Sequence, residues 1–329
     1  MSCEVITFGE AMIRLHPPAS LRIEQTHAFE VQVGGAELNT AVGLCRLGRS
    51  AAWVSRVTDN PLGRLLVQRA RGAGVCVEHV QWTDQDRVGI YFVEFGAAPR
   101  PSSVLYDRKG SAMAAVQPGT IPWGTIFSGA RWFHVTGITP ALSPSAAETT
   151  REAVEAARRG GLRISLDLNY RAKLWSPGEA RRCLHPLVCL SDVLITTEED
   201  ADKVLGLTGS SHEETARTLA GAYPNLYAVA ITIRENPLVW RNRWTALVLA
   251  QGTVFTTRTY EVEIVDRLGA GDAFAAGLIH GLLDGDVQRG LDLGVALSAL
   301  KHSVPGDFAW IDREEVEGLL RGMGLRISR

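Results

Sequence analysis

Short apolar runs alternate with longer amphipathic segments over the middle of the chain, from residue 132 to residue 233. The apolar runs have the length and composition of buried strands and lie at 132–135, 164–168, 193–196 and 227–233. The segments between them have apolar residues at helical spacing and lie at 144–159, 177–187, 198–205 and 212–222. Strands that alternate with helices predict a mostly parallel sheet with helices on both faces. The pattern therefore restricts this chain to a three-layer α/β/α fold.

The same reasoning predicts elements on either side of this region. Strands are expected before it at 5–9 and 51–57, and helices at 36–47 and 61–73. After it we expect a hairpin made by 246–249 and 254–257, then helices at 270–283, 287–303 and 313–321. Because no linker, repeat or low-complexity segment interrupts the chain, we predict one domain over residues 1–329.

Two stretches near the start of the chain depart from this pattern. Apolar and polar residues alternate over residues 12–33 and again over residues 88–111. Such alternation is typical of strands that have one face in water, and the second stretch is rich in the Tyr and Phe that strands favour. We therefore predict that both stretches leave the main sheet and form a small β-sheet lid together.

The composition argues against several classes of partner. The chain has 34 Lys and Arg against 36 Asp and Glu, and this balance disfavours nucleic acid because phosphate contacts need a basic surface. No apolar run approaches the ~18 residues of a membrane helix. The start of the chain lacks the basic region of a signal peptide, and the five cysteines include no C-x-x-C pair. These features predict a cytoplasmic protein with reduced thiols.

The most informative motif is Gly269-Ala270-Gly271-Asp272, which comes just before an apolar run of small residues. Backbone N–H groups at a helix start are unpaired and carry partial positive charge, and glycines let a ligand approach them closely. Asp272 follows them directly, where a carboxylate could accept a proton from an attacking hydroxyl. Phosphoryl transfer to an alcohol requires this combination of anion hole and base. The motif alone also fits a glycine turn with an Asp cap.

Four other kinds of enzyme lack their motifs in this chain. No lysine follows a glycine, so a P-loop is absent, and the first strand is not followed by the G-x-G-x-x-G of dinucleotide-binding proteins. His212-Glu213 has no second His at the spacing of a zinc protease, and there is no G-x-S-x-G elbow. A P-loop enzyme, a GxGxxG-type dehydrogenase, a zinc hydrolase and an esterase therefore lose support.

A second glycine motif lies far upstream, at Gly34-Gly35-Ala36-Glu37-Leu38-Asn39-Thr40-Ala41. The order of these two motifs, 34–41 and 266–272, and the wide separation between them resemble those of the ribokinase/PfkB family of carbohydrate kinases. The resemblance covers essentially the whole chain. It implies a ribokinase-like α/β/α domain with a β lid, and it implies ATP and Mg²⁺ as partners in phosphoryl transfer. Whether a monovalent cation is also needed is left open by the sequence.

Within that family, three stretches resemble the kinases of 2-keto-3-deoxygluconate, namely 106–112, 167–175 and 230–235. Arg108 and Arg171 lie in segments that the family uses to line the sugar site, and arginine recognises carboxylates through a planar pair of donors. The resemblance thus implies a sugar acid that is phosphorylated on its primary hydroxyl to the 6-phosphate. Two alternatives stay open: a kinase of a neutral sugar such as fructose or ribose, and a non-catalytic sugar-binding regulator. The sequence does not separate gluconate-derived from galactonate-derived keto acids.

The resemblance also implies roles for single residues. Asp272 is expected to be the catalytic base, and the N–H groups of Gly269, Ala270 and Gly271 are expected to surround the transferred phosphoryl group. The expected sugar-binding residues are Gly34, Gly35, Asn39, Tyr91, Tyr106, Arg108, Arg171 and Asp307. The expected ATP-binding residues are Asn169, Thr232, Arg234, Asp266, Gly269 and Gly271.

One element departs from the family pattern. The family usually has an Asn-x-x-Glu element that orders magnesium and phosphate through water, whereas the matching stretch here is Thr197-Glu198-Glu199-Asp200. Asp200 keeps a carboxylate and is expected to hold the metal through water. The lid is further expected to pair with a second copy of the chain, because its apolar face would otherwise be exposed. The number of subunits does not follow from the sequence.

Overall fold

The computed structural model describes residues 3–238 and 240–322, and two β-sheets are found in this part of the chain. Numbered in chain order, the strands are β1 (Val5–Phe8), β2 (Met12–His16), β3 (Glu30–Gly34), β4 (Ala51–Thr58), β5 (Val80–Thr83), β6 (Ile90–Glu94), β7 (Ser103–Asp107), β8 (Trp132–Thr136), β9 (Arg163–Asp167), β10 (Val193–Thr196), β11 (Ala228–Leu238), β12 (Arg241–Ala250), β13 (Thr253–Thr256) and β14 (Tyr260–Glu263). The α-helices are α1 (Ala36–Arg46), α2 (Pro61–Gly72), α3 (Trp123–Ile126), α4 (Pro144–Arg159), α5 (Pro177–Val188), α6 (Glu198–Asp200), α7 (His212–Ala222), α8 (Ala270–Leu283), α9 (Val287–Lys301) and α10 (Arg313–Leu320).

The main sheet has the order β13-β12-β11-β10-β9-β8-β1-β4-β5, with β14 paired to β12. All neighbouring strands from β11 to β5 are parallel, and β12, β13 and β14 form an antiparallel edge. The predicted mostly parallel sheet is therefore confirmed. The hairpin expected near residues 246–257 is the pair β12–β13 of this edge.

Helices cover both faces of this sheet, because side chains of successive strand residues point to opposite sides. In β1, Val5 packs into one core and Ile6 into the other, and Trp53 and Val54 of β4 divide in the same way. The first core includes buried residues of α1, α2, α8 and α9. The second includes buried residues of α3, α4, α5 and α7. Because both faces of the main sheet are buried in these two cores, its strands are continuous apolar runs in the sequence.

The lid is a four-stranded sheet in the order β3-β2-β6-β7. Its strands lie where the two alternating stretches were predicted to leave the main sheet, and only the end of β3 extends one residue beyond the expected range. Strands β2 and β3 are antiparallel, β2 and β6 are parallel, and β6 and β7 are antiparallel. The predicted small sheet is thus confirmed, and a third, smaller apolar cluster lies on its inner face around Met12, Tyr91 and Val93.

Several local predictions differ from the structure. The helix predicted over 198–205 is the short α6 followed by a π-helical turn, Ala201–Leu205. Strands β5 and β14 were not predicted, because both are four-residue edge strands with polar or exposed positions that resemble a loop. The ends of the predicted domain, residues 1–2 and 323–329, lie outside the described residues, and the single domain stays a prediction.

Chain order in the main sheet changes direction between β1 and β8. From β1 the chain moves outward to β4 and β5 on one side, and later elements build outward from β8 to β11 on the other. Open α/β sheets bind ligands beyond the carboxyl ends of their strands at such a point. The lid begins directly after β1 and so lies over this edge. Among the described helices, none combines the length and apolar character that crossing a membrane requires.

Candidate active site

Two cavities meet at the carboxyl edge of the main sheet. The larger of the two measures about 220 Å³ and lies beyond β9, β10 and β11. The smaller measures about 90 Å³ and lies between the lid and the residues that follow β1 and β8. We name them the phosphate cavity and the sugar cavity, after the ligands that the sequence predicts for their residues. The residues that line both cavities are Arg171, Leu268, Gly269 and Asp272. Asp272 is therefore placed at the boundary between the two cavities.

The structure brings the predicted site residues together in two groups. All eight residues expected to bind sugar line the sugar cavity, although they come from α1, the lid, the loop after β9 and the region after α9. The phosphate cavity is lined by Asn169, Thr232, Arg234, Asp200, Gly269, Ala270 and Gly271. The contacts of these residues with ligands stay predictions. Asp266 is the one predicted nucleotide-binding residue that lines neither cavity.

The wall between the cavities is the start of α8. Gly269 has φ of 82°, which favours glycine, and a Cβ there would lie 2.0 Å from the Asp307 carbonyl oxygen. A Cβ on Gly271 would meet no atom within 4 Å, so this residue borders open space. The Ala270 N–H donates to the Arg267 carbonyl oxygen at 3.3 Å, whereas the Gly271 N–H has no partner within the described residues. The helix start thus offers an unpaired donor and a positive dipole end to an anion.

Asp272 has the properties of a base that works near neutral pH. Its carboxyl group is buried, and burial raises its pKa to about 7. Two groups oppose that rise by stabilising the charged form. The Asn39 side-chain amide donates to Oδ2 of Asp272 at 2.7 Å, and the positive charge of Arg171 is nearby. Asn39 in turn accepts the Gly35 N–H at 3.3 Å. The glycine motif therefore positions the base, while its predicted contact with sugar hydroxyls stays a prediction.

A buried carboxylate, Asp307, forms the inner wall of the sugar cavity. Its Oδ1 accepts a bond from Arg14 at 2.8 Å, and its Oδ2 accepts the Tyr91 hydroxyl at 2.5 Å. Burial raises the pKa of Asp307, and the positive charge of Arg14 opposes the rise. A Cβ on Gly34 would lie 2.3 Å from Asp307 Oδ2 and 2.5 Å from the Tyr91 hydroxyl. Gly34 is thus required by the close approach of β3 to this wall.

The two arginines expected to recognise a carboxylate differ in their surroundings. Arg108 forms an ion pair with the buried Glu10, whose other oxygen accepts the Ser111 hydroxyl. Arg108 also lies over the Tyr106 ring, with 5.7 Å from the guanidinium carbon to the ring centroid. Arg171 forms no ion pair in the described part of the chain, and it donates only to the Tyr170 carbonyl oxygen at 3.2 Å. Of these two arginines, Arg171 is therefore the one without an ion pair among the described residues, although its charge acts on Asp167, Asp200 and Asp272 nearby.

Two carboxylates, Asp167 and Asp200, border the phosphate cavity. Burial and the neighbouring charges of Asp272 and Asp200 raise the pKa of Asp167 well above its usual range, and burial raises that of Asp200. No group of three or more His, Cys, Asp or Glu among the described residues could hold a metal. Mg²⁺ is commonly bound by one or two carboxylates together with substrate phosphates. The Asp167–Asp200 pair fits that arrangement, since a cation would relieve its repulsion.

The departure at Thr197 has a local explanation. The Thr197 hydroxyl accepts the Asp200 N–H at 3.0 Å and so caps the short helix α6. Threonine is a good residue at this position because its oxygen satisfies an N–H group that would otherwise lack a partner. The Asp200 carboxylate accepts the Tyr170 N–H at 3.4 Å. Asp200 is thereby held at the cavity, while Thr197 is occupied by its cap.

The structure places Asp266 outside the lining of both cavities, and its predicted contact with the nucleotide stays a prediction. Its side chain is almost fully buried, pairs with the buried Arg14 at 2.6 Å, and accepts the N–H groups of Leu268 and Gly306 at 3.0 and 2.9 Å. The buried Lys301 donates to the Asp266 carbonyl oxygen at 3.3 Å. These bonds hold Asp266 in the loop that leads to Gly269.

The sequence reasoning missed three charged residues of the site: Glu10, Arg14 and Asp167. Asp167 lies inside a stretch that was singled out, and it ends a strand at the ligand-binding edge. The sequence also carried an indication of Arg14, because this charged residue is flanked by apolar residues in a predicted lid strand. Glu10 follows the first strand directly, but nothing in the sequence indicated its pairing with Arg108.

Comparison with known proteins gives matches along the whole chain. A sequence model of the pfkB family carbohydrate kinases matches residues 3–309. A 2-dehydro-3-deoxygalactonokinase of Haloferax volcanii is 41% identical over 330 residues and is matched over the full length of both chains. A 2-dehydro-3-deoxygluconokinase of Thermoproteus tenax is 32% identical, over 97% of this chain and 94% of the relative. The solved structure of a 2-dehydro-3-deoxygluconokinase from Thermotoga maritima superposes with a TM-score of 0.94 at 41% identity, covering 98% of this chain and 99% of that one.

Proposed function

The chain belongs to the pfkB family of carbohydrate kinases, and from this premise we propose that it transfers a phosphoryl group from ATP to 2-keto-3-deoxygluconate. The product would be the 6-phosphate. The observation that carries the proposal is the position of Asp272 at the boundary between the phosphate cavity and the sugar cavity. Relatives named as kinases of 2-dehydro-3-deoxy sugar acids support the choice of substrate class.

The geometry suits an in-line transfer between the two cavities. The primary hydroxyl of the sugar attacks the terminal phosphorus, its proton passes to the Asp272 carboxylate, and the bond between phosphorus and the ADP oxygen breaks. Negative charge on the transferred group is stabilised by the unpaired Gly271 N–H and the positive end of α8. Because the pKa of Asp272 is about 7, its carboxylate can accept a proton near neutral pH.

The charges around the sugar cavity support an acidic sugar. Arg171 lines this cavity and has no acid partner in the described residues. Its guanidinium can bind a carboxylate through two parallel hydrogen bonds. Arg108 lies at the same cavity and is held in place by Glu10. A sugar carboxylate could form an ion pair with Arg171 and a neutral sugar could not, which is why we prefer a sugar acid over fructose or ribose.

We propose ATP and Mg²⁺ as partners of the phosphate cavity. Asp167 and Asp200 would hold the metal on the protein side, and Asn169, Thr232 and Arg234 border the space for the nucleotide. When bound, Mg²⁺ would neutralise phosphate charge that otherwise resists attack by the hydroxyl. The use of ATP and the five unpaired cysteines also support a cytoplasmic location.

An ADP-release assay tests the proposed function. The substrates are 2-keto-3-deoxygluconate, its galactonate-derived isomer, fructose and ribose, each with and without Mg²⁺. The proposal expects Mg²⁺-dependent ADP release with at least one keto-deoxy acid, at a kcat/KM well above that for the neutral sugars. Equal rates with neutral sugars and sugar acids would instead support a neutral-sugar kinase. Binding of the sugar acid without ADP release would support a non-catalytic regulator.

We further propose that the lid pairs with a second copy of the chain. Val31, Leu15, Phe92 and Leu105 lie opposite one another across the four strands, and they form one apolar row. Val31 is 44% exposed and Leu105 is 60% exposed, and an apolar sheet face of this kind favours association.

Sedimentation should give an oligomer for the parent and a smaller species for Leu105→Glu. Leu62→Glu, on exposed α2, is the control that should leave the mass unchanged. A monomeric parent protein would contradict the proposal.

A further inference from the structure

A fully buried lysine, Lys301, lies at the end of α9 behind the two cavities. It forms no ion pair among the residues that the structure describes, although lysine is almost never fully buried unless its charge is paired. Burial lowers the pKa of Lys301, and the negative charges of Asp266 and Asp307 oppose that fall. A buried ammonium group that touches no acid carries a cost in desolvation, so its contacts indicate what it does.

The ammonium group donates to two backbone carbonyl oxygens. The Nζ atom of Lys301 lies 3.3 Å from the carbonyl oxygen of Asp266 and 3.0 Å from that of Val304. Asp266 belongs to the loop that leads to α8, and Val304 belongs to the loop that follows α9. Buried carbonyl oxygens that converge on one point need a shared donor, because their partial negative charges otherwise oppose one another. The side chain of Lys301 therefore links these two loops.

The first loop sets the geometry at the start of α8. The carbonyl of Asp266 is followed by that of Arg267, which accepts the Ala270 N–H at 3.3 Å. The peptide units before Gly269 thus decide which donors of the first turn are used, and they leave the Gly271 N–H without a partner in the described part of the chain. A rotation of the Asp266 peptide would therefore move the donors that face the phosphate cavity.

The second loop packs against the same helix start. The Gly306 N–H donates to Oδ2 of Asp266 at 2.9 Å, which joins the two loops at a second point. The Asp307 carbonyl oxygen lies 2.0 Å from the position that a Cβ on Gly269 would occupy. Asp307 also lines the sugar cavity. A separation of the two loops would therefore disturb the start of α8 and the wall of the sugar cavity together.

We propose that Lys301 is a positioning residue for phosphoryl transfer: its ammonium group holds the two loops together and so keeps the N–H donors at the start of α8 directed at the transferred group. The inference rests on the proposed function, because it concerns the same transfer. Lys301 lines neither cavity, so it acts through the backbone of Asp266 and Val304 and not by contact with a substrate.

Calorimetry with two ligands tests the helix start independently of the sugar. ADP lacks the terminal phosphoryl group, and ADP with beryllium fluoride has a tetrahedral anion in its place. Both affinities are measured with Mg²⁺ for the parent and for Lys301→Met, whose side chain is of similar length but has no donor. The parent should bind ADP more tightly when beryllium fluoride is present. Lys301→Met should lose about 10-fold of that gain, the size of a lost hydrogen bond to a charged group, and should keep its affinity for ADP alone.

Turnover gives the second readout. With the sugar acid that supports ADP release, kcat of Lys301→Met should fall about 10- to 100-fold, as expected when groups at the reacting centre are slightly misplaced. The KM values should change much less, because the donors act on charge that develops in the transition state. Lys301→Gln keeps N–H donors and should lie between the parent and Lys301→Met. It also provides the same comparison if Lys301→Met does not fold.

Asn225→Leu is the matched control. The Asn225 amide also donates to two backbone carbonyl oxygens, those of Val188 and Ser191, at 2.8 Å each, and it lines neither cavity. Its loss should lower the unfolding midpoint without changing kcat or the gain from beryllium fluoride. If folded Lys301→Met keeps the kcat of the parent, or if Asn225→Leu loses activity equally, Lys301 is merely structural and the inference is overturned.

The inference is also overturned if the parent gains no affinity from beryllium fluoride, or if Lys301→Met retains the whole gain. These results differ from those that concern the proposed function. If no sugar acid gives ADP release while Lys301→Met still loses the gain, the substrate proposal fails and the role of Lys301 stands. If ADP release occurs as expected while Lys301→Met matches the parent in both readouts, the role of Lys301 fails and the substrate proposal stands.

Discussion

At the scale of single residues, the site depends on how its buried charges are paired. The carboxyl group of Asp272 is desolvated, and the Asn39 amide and Arg171 prevent its pKa from rising further than about 7. A base whose pKa lies near the working pH combines a sufficient ionised fraction with a useful affinity for the proton. The environment of Asp272 is thus suited to proton transfer in a way that an exposed aspartate would not be.

This environment predicts the pH dependence of the reaction. The base must be ionised in the free enzyme, so kcat/KM should fall as the pH drops below about 7, which is the pKa of Asp272. An aspartate with an unperturbed pKa would place this midpoint at about pH 4. A pH profile of kcat/KM between pH 5 and 9 measures the midpoint, and one below pH 5 would contradict the assigned environment.

The Asn39→Ala variant tests the cause of that pKa. Removing the amide takes away a hydrogen bond that stabilises the charged carboxylate, so the pKa of Asp272 should rise and the acid limb should move to higher pH. The same profile recorded for the variant gives the shift. If the acid limb keeps its position, Asn39 does not hold the charge of Asp272.

The sequence predicted the residues of the site better than their pairings. The sequence pointed to the Gly269–Asp272 motif and to eight of the residues that line the sugar cavity, because glycine motifs and strand ends leave local signals. The pairing of Arg14 with Asp266 and Asp307 could not be predicted, because it joins positions about 250 to 290 residues apart through the folded lid. For the same reason the sequence did not indicate that the Asp266 side chain is buried against Arg14.

At the scale of elements, the start of α8 depends on the packing of α8 against α9. These helices cross where glycines face each other, and a Cβ on Gly277 would lie 2.5 Å from the backbone of Gly294. Likewise a Cβ on Gly281 would lie 2.2 Å from the nitrogen of Gly290. Such close contact fixes the position of α8, and with it the position of the unpaired N–H groups at its first turn.

The Gly277→Ala variant tests this contact. The added methyl group has no space against the backbone of α9, so we expect a loss of about 1–3 kcal/mol in the free energy of unfolding. The matched control is Gly221→Ala in α7, where a Cβ would meet no atom within 4 Å. That change should leave stability equal or raise it by up to ~1 kcal/mol. Chemical denaturation measures both, and equal stability of the two variants would contradict the packing argument.

Most helices and parallel strands of the main sheet were predicted within a few residues, because apolar periodicity and caps are local properties. The Asn60 cap before α2 and the Ser143 cap before α4 are examples, since each side chain accepts an N–H of the first turn. The stretch 198–205 was not predicted correctly. A single helix was expected there, but Thr197 caps a short helix and a π-helical turn follows it.

At the scale of the whole molecule, a buried ion pair connects the lid to the main domain. Arg14 of lid strand β2 is fully buried and contacts both Asp266 and Asp307. Asp266 orders the loop before α8, and Asp307 forms the wall of the sugar cavity. The position of the lid is therefore coupled to both cavities through one guanidinium.

The Arg14→Met variant tests this connection. It leaves two buried carboxylates without their cation, so the free energy of unfolding should fall by about 3–5 kcal/mol at pH 8. Loss of Arg14 lets the pKa of Asp307 rise further above its unfolded value, so the folded variant binds protons more tightly. The loss should therefore shrink as the pH falls toward 5, where protonation relieves the unpaired charge.

The control for Arg14 is Arg87→Met. Arg87 pairs with Asp107 at the lid, but both side chains are about half exposed, and such pairs contribute ~0–1 kcal/mol. Chemical denaturation at pH 8 and pH 5 compares both variants with the parent. Equal and small losses for Arg14 and Arg87 would show that the lid is not held by the buried pair.

The overall architecture was predictable because the alternation of strands and helices permits few folds. The comparisons confirm the family that the two glycine motifs indicated, and the lid lies at the stretches that interrupt the alternation. Edge strands β5 and β14 were missed, since short strands with exposed positions have little periodicity. How the lid contacts the main domain depends on three-dimensional contacts that no local pattern carries.

The central claim is that Asp272 accepts the proton of a sugar hydroxyl at the boundary of the two cavities. The most direct test is kcat for phosphorylation of 2-keto-3-deoxygluconate by Asp272→Asn. The change removes the base but keeps an oxygen for the Asn39 amide, and loss of a buried charge should not lower the unfolding midpoint at pH 8. The account predicts a fall in kcat of about 10²–10⁴-fold in a folded protein that still binds ATP. A folded Asp272→Asn protein with kcat within a few-fold of the parent would contradict it.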